Sequence, residues 1–550
     1  MKLSQSHFGR QGALAIAIFV LQGCAGVGVH DRNTVPAQIA ALRPILPVTP
    51  VLAWPSDADN ALPNTRSCLA WYEKIDTAVD AAGVRDGGAH RLAGFPHLRI
   101  DRFVASFGDQ QRENLNTLPA MLGYARDLDL AAREHELANL PQRWQAVLGI
   151  SDIAATRAVL NHCSQALLRR DLASPDLQNV LSAQWQVPDH YAVWKRTLGL
   201  YPLTSIPIFS GIKKWQQTTE SIFAANANSD TNELTPTENR SRFSRYQPNS
   251  ESEHADISER GGTPAIETIF ASRSRNRLGV PQLNDADWRA LISRHAPIFL
   301  LESNGTFDRI GTIVFARDSQ VTVDAASPVV YQRVSFTRIA GQTYVQLTYS
   351  VWFSERPVNA PMDLLGGNLD GVMVRITLGQ NGTPLLVDSI HACGCYHLFF
   401  PTPNLSPRPP PDTNIEWAFS PKNLPAMTAG QRVVVQLASA THYLTDIRID
   451  NGDSNNPSVA HATYRLNPER DLLSLPLSQN DANGERKSIY EPSGLIAGST
   501  RGERFVFWPM GILSPGAMRQ WGTHATAFVG IRHFDDADLI DQRYAIVNVH

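Results

Sequence analysis

The sequence predicts an α+β fold class: a mainly helical N-terminal domain followed by an antiparallel β-rich, sandwich-like C-terminal domain. Three observations carry this expectation. Apolar residues recur at three- and four-residue steps between about residues 64 and 200, the periodicity changes to two beyond residue 265, and a polar stretch too poor in apolar residues to build a core lies between. A chain of 550 residues, 43% hydrophobic and 18% charged, has the composition of a folded protein of two or three domains. Its 49 basic and 52 acidic residues leave a net charge of -3, so no excess of positive charge draws it to nucleic acid.

The chain opens with Lys2 and Arg10 ahead of the apolar run Ala13 to Leu21. Nine residues are too few for the roughly 20 that span a bilayer as a helix, and the basic leader fits an export signal. The run ends in Leu21-Gln22-Gly23-Cys24, which resembles the lipobox of bacterial lipoproteins, although Gln22 departs from the small residue usual at its place. The resemblance implies that residues 1–23 are a signal peptide removed before Cys24. It also implies that Cys24 is acylated and that a lipid bilayer is the partner, held through those chains. Ala25, where an Asp would signal retention at the inner membrane, implies the outer membrane of the bacterial cell envelope. A Pro-rich tether, residues 24–63, follows.

Residues 64–215 form the expected helical domain. Cys68 to Ala82 places Leu69, Tyr72, Ile75, Ala78 and Val79 on one helical face, with Gly83 as a stop. Further helices are expected over 113–137, 140–148 and 151–170, the last opening on the cap Ser151-Asp152. In an exported chain disulfides persist, and Cys68, Cys163, Cys393 and Cys395 remain once Cys24 is assigned to lipid. Pairing Cys68 with Cys163 and Cys393 with Cys395 keeps each bond within one folding unit, the first closing a loop worth about 4 kcal/mol.

Residues 216–264 are rich in Ser, Asn, Thr and Glu and are expected to be a linker or surface excursion between the domains. The β-rich domain is assigned to 265–550. Strands are expected over 312–316, 321–324, 329–337, 343–353, 372–378, 384–391 and 431–438. Asn381-Gly382 suits a tight turn, so 372–378 and 384–391 should pair as a hairpin.

The densest group of chemically capable side chains is His391-Ala392-Cys393-Gly394-Cys395-Tyr396-His397. Imidazole and thiolate are ligands that zinc and copper prefer, so zinc is the candidate cofactor. In an extended strand, however, His391 and His397 would stand about 20 Å apart, so only a bend at Gly394 gathers them. Three readings stay open for the two cysteines: a small-ring disulfide, a metal site sharing the histidines, or a redox-active thiol. A second group, His524, His533, Asp535 and Asp536, offers further metal or binding donors, and Asp370 and Asp388 are candidate general bases.

Hydrolase elbows, Walker loops, zincin helices and dinucleotide fingerprints are missing from the sequence. From His295-Ala296-Pro297 through Asp370 to Ser389-Ile390-His391, the chain faintly resembles secreted β-sandwich proteins of the Vps62 and necrosis-inducing type. Asp370-Gly371-Val372 stands where that family carries Asp-Trp-Glu, so the resemblance implies a fold and no activity. The expected function is that of a membrane-anchored envelope lipoprotein with a ligand-binding or structural role. The alternatives are a metal-dependent hydrolase of an envelope polymer or lipid and, third, a thiol oxidoreductase.

Overall fold

Asn64 starts the first helix, α1 (Thr65–Ala82), by accepting a hydrogen bond from Ser67 N at 3.0 Å, and Gly83 ends it with φ 68°. The computed structural model describes residues 64–108, 116–228, 243–249, 265–428, 431–450, 459–477 and 484–547. The expected signal, Cys24 and the tether lie outside the described residues. The buried face of α1 is Cys68, Trp71, Tyr72, Ile75, Ala78 and Val79, the three-and-four spacing of an amphipathic helix. It packs on α4 (Ile153–Ala173), and α2 (Leu118–Asn139) packs on the same helix. Short α3 (Gln142–Leu148) and α5 (Pro175–Gln184) complete this region. A disulfide joins Cys68 to Cys163, as the sequence suggests. Its interior also holds fully buried charge: Arg99 donates to Asp129 and Glu136 at 3.0 and 2.8 Å, and Arg133 donates to Asp129 at 3.2 Å. Buried ions survive only when paired in this way.

The C-terminal part is sheet-rich. Ten strands share one curled sheet: β1 (Phe243–Pro248), β2 (Ile298–Glu302), β3 (Val329–Ile339), β4 (Gln342–Arg356), β5 (Gly367–Leu378), β6 (Pro384–His391), β7 (Leu398–Pro401), β8 (Val433–Leu437), β9 (Leu444–Ile449) and β10 (Ala460–Pro468). Their order is β7-β6-β5-β4-β3-β10-β1-β2-β8-β9. The expected hairpin is present, with β5 and β6 antiparallel around Gly382 at φ 80°.

The expectation of an antiparallel sheet needs correction, because the sheet is mixed. β10 runs parallel to both β3 and β1, and β8 runs parallel to β2. The cause lies in long connections: these strands are far apart in sequence, so no tight turn forces reversal at their junctions. No second sheet of more than two strands occurs among the described residues.

The polar stretch 216–264 also contributes to the fold where it is described. Helices α6 (Val193–Leu198) and α7 (Tyr201–Asn228) precede it, and α7 continues into it, burying Phe223. β1 lies inside it and buries Tyr246. A few aromatic residues in a polar background suffice when each fills a core position. The helical and sheet-rich parts touch through Asn139, which donates to Leu473 O at 2.7 Å, and Tyr191, whose hydroxyl donates to Ala527 O at 2.8 Å. All described residues belong to one compact unit.

Candidate functional site

The curl of the sheet brings its two edges towards each other, and the site lies where they meet. Asp370 sits near the start of β5, opposite Phe353 of β4, and His391 is the last residue of β6. From the far edge, the turn between β8 and β9 delivers Thr441, His442 and Tyr443. A cavity of about 220 Å³ opens between the edges, lined by His391, Tyr396, Tyr443 and Leu444 and covered by Trp215 and Ile222 of α7.

At its wall stands a buried network of charge. Asp370 Oδ2 lies 2.8 Å from His442 Nδ1, and Asp308 Oδ1 lies 3.5 Å from His442 Nε2. Asp370 Oδ1 accepts from Gly371 N at 3.0 Å and lies 3.5 Å from Arg501 and 3.6 Å from His391 Nδ1. Phe353 stacks on the His442 ring at 3.8 Å with planes 3° apart, which fixes the imidazole plane. Burial opposes charge on His442, but the carboxylates of Asp308 and Asp370 on either side outweigh it and raise its pKa. Burial likewise acts to raise Asp370, yet contact with His391 and His442 holds it well below the usual carboxylate range.

His391 behaves oppositely. Burial lowers its pKa, Asp370 resists the fall, and Arg356 and His442 add to it, so the ring is neutral at ordinary pH. With the Asp370 carboxylate on the Nδ1 side, the favoured tautomer carries its proton there. Nε2 is left as a buried acceptor that makes no hydrogen bond. Edge-on contacts to Tyr396 and Tyr443, at 5.1 and 5.6 Å, hold the ring. A relay of donors backs those phenols: Arg356 donates to Tyr443 at 3.0 Å, and Tyr443 donates to Tyr396 at 2.7 Å.

The backbone here is unusual. Leu369, Tyr396, Ala440 and His442 all have positive φ, between 52° and 63°, in residues with a Cβ. Gly394 turns the chain after β6 at φ 93°, and an added Cβ there would stand 2.8 Å from Ala525 O. The resulting turn closes with His391 N donating to Cys395 O at 3.0 Å.

The remaining expected site residues go to separate neighbourhoods. His397 faces Asp388 at 2.9 Å, while Arg375 donates to the same carboxylate at 3.0 and 2.6 Å. Burial depresses His397 to about 3, so this is a closed structural cluster. The C-terminal segment does lie against the β6 turn, with His524 Nε2 3.2 Å from Ala392 O. His533 turns away to Asp189 and Asp536, at 3.1 and 3.3 Å, and Asp535 approaches Arg102 at 3.5 Å. The expected gathering of His391, His397, His524, His533 and Asp535 around zinc is therefore corrected: among the described residues no three His, Cys, Asp or Glu side chains share a metal-binding geometry.

The expected Cys393–Cys395 bond is corrected too, since both are buried free thiols. The turn at Gly394 leaves them close enough to hydrogen-bond. That contact, followed by burial, holds Cys395 well above the usual thiol range, opposite to a reactive thiolate.

Asp308, His442, Tyr443, Arg356 and Arg501 escape sequence reasoning, because each reaches the site from a strand or turn far from His391 in the chain. The Tyr396 beside His391 was within the conspicuous heptad, but nothing in its spacing marks a role. Comparison of the chain with protein-family models, curated proteins and solved structures finds no match. The geometry alone therefore carries the functional argument.

Proposed function

We propose that the chain is an acyl-anchored ligand-binding protein of the bacterial envelope, whose cavity takes a small molecule with an apolar body and one hydroxyl or N–H donor. The single observation that carries the binding role is His391, which lines the cavity and whose buried Nε2 has no hydrogen-bond partner. Leaving such an atom unpaired costs about 1–3 kcal/mol, which a ligand donor would recover. At about 220 Å³ the cavity is smaller than the roughly 300–1,000 Å³ of drug-sized sites, so the occupant is compact.

The envelope address is supported by Leu21-Gln22-Gly23-Cys24 and by the Cys68–Cys163 disulfide, a bond that persists in oxidising compartments. Acylation at Cys24 and residence at the outer membrane belong to the same proposal. The metal-dependent alternative draws no support from the separate settings of the histidines, and Asp388 is already committed to Arg375 and His397.

Paired titrations with p-cresol and toluene test the binding role, since the probes differ chiefly in the hydroxyl group. p-Cresol is expected to bind at least about tenfold more tightly, and His391→Phe should remove that preference while toluene binding persists. Equal affinity for both probes, or no saturable binding of either, would overturn the proposal.

A further inference from the structure

One face of the described fold exposes apolar side chains instead of burying them. Trp194, Leu198, Leu203, Ile206 and Phe505 are between 60% and 69% exposed, and they gather in one region instead of standing singly. They come from two distant segments. α6 packs on Trp508–Met510, and so do α7 and the short helix α8 (Arg504–Phe507). Hydrogen bonds fix the contact: Ala192 N and Arg196 Nε donate to Gly511 O and Met510 O, both at 2.8 Å. At the same contact Gly199 comes so close to Pro509 that an added Cβ would stand 2.5 Å from it.

The charges around these residues have one sign. Residues 190–219 contain Lys195, Arg196, Lys213 and Lys214 and no Asp or Glu, and residues 504–513 contain Arg504 and no acid. Cations also lie over the aromatic rings: Lys195 over Trp194 at 5.8 Å, Lys213 over Phe209 at 5.2 Å and Arg504 over Phe505 at 4.7 Å. Aromatic and aliphatic groups interleaved with cations match the boundary between lipid headgroups and acyl chains. A second copy of the same face would instead oppose like charges.

We infer that this face, built from α6, the first half of α7 and the segment Arg504–Leu513, docks on a bilayer surface bearing anionic headgroups. The contact is peripheral, because no helix among the described residues is long and apolar enough to cross a membrane. It is separate from acylation of Cys24, so the two contacts can be tested apart. α7 also joins this face to the cavity, since Trp215 lies nine residues, about 14 Å of helix, beyond Ile206.

The test uses the chain from residue 24 onward carrying Cys24→Ser, which has neither acyl chains nor the apolar run Ala13–Leu21, with and without Trp194→Glu, Leu198→Glu and Ile206→Glu. Vesicles of phosphatidylethanolamine with phosphatidylglycerol are the probe, and sedimentation gives the bound fraction. The triple substitution should weaken partitioning at least about 100-fold, and omission of phosphatidylglycerol should weaken the parent chain. All three positions are exposed, so folding is preserved; retention of the melting transition checks this. Equal partitioning of the two chains overturns the inference, as does a lipid-free dimer of the parent chain that the triple substitution abolishes. If Cys24 proves not to be acylated, the vesicle comparison still decides the matter.

Discussion

Glu503→Gln should remove a pH dependence of stability that the wild-type protein carries between about pH 4.5 and 7. Burial pushes the Glu503 carboxyl up to about 7 from an ordinary 4.5; Arg501 and Arg356 resist the rise, and Asp370 adds to it. The folded state thus keeps a proton that the unfolded chain releases. Below pH 4.5 both states are protonated and this group has no effect. As pH climbs from 4.5 to about 7 only the unfolded chain ionises, so stability falls, and above about 7 the loss is complete. At about 1.4 kcal/mol per pH unit, that span corresponds to about 3 kcal/mol. A unit of roughly 500 residues has a melting entropy of about 1 kcal/mol/K, so the loss amounts to about 3 °C. Gln imitates the protonated carboxyl and cannot ionise. Scanning calorimetry of both proteins across this range should show melting temperatures that differ little near pH 4.5 and diverge until the variant melts about 3 °C higher at neutral pH and above. An offset that stays constant with pH would refute the reasoning, because every other titrating group is common to the two chains.

The Cys68–Cys163 bond spans 95 residues, so its replacement by serines should cost about 4 to 5 kcal/mol and lower the melting temperature by a similar number of degrees; calorimetry with and without reductant reads this. Arg375→Met strands the Asp388 carboxylate in the interior and should cost about 3–5 kcal/mol, whereas the double variant with Asp388→Leu should recover most of that loss in the same assay. Failure of the second substitution to rescue would show that Arg375 acts through packing rather than charge.

How much of this was legible in the sequence depends on the range of the interaction concerned. α1 and its Gly83 stop follow from contacts within one turn, and the β5–β6 hairpin follows from residues on either side of Asn381-Gly382. Such features are written locally. The parallel junctions of β10 and β8 are not, because long connections separate these strands from their parallel partners and no local turn sets their direction. The same distinction divides the site. Asp370 and His391 stand out as polar residues at strand ends, but which His meets which carboxylate is settled by the curl of the sheet. His391, His397, His524 and His533 look equivalent in sequence and occupy four different environments. His442 carries no local mark beyond following a strand, yet it makes the shortest contact to Asp370.

Backbone strain supplies an independent argument that the Asp370–His391–His442 cluster is more than an ordinary buried ion network. Positive φ in a residue with a Cβ costs about 1–3 kcal/mol and persists only where surroundings over-determine it. Ala340 shows that position alone proves little, since it occupies a tight turn between β3 and β4 beside Gly341. The other case differs in kind: Leu369 adjoins Asp370, Tyr396 touches His391, and Ala440 and His442 belong to the turn that carries Asp308's partner. These four residues come from three separate segments, Leu369 within β5, Tyr396 after β6 and the other two between β8 and β9, and Tyr396 lines the cavity. A network serving stability alone would be improved by relaxing them. They instead hold His391 in the cavity lining with its buried Nε2 unpaired, an arrangement whose cost is offset when a ligand donor reaches it.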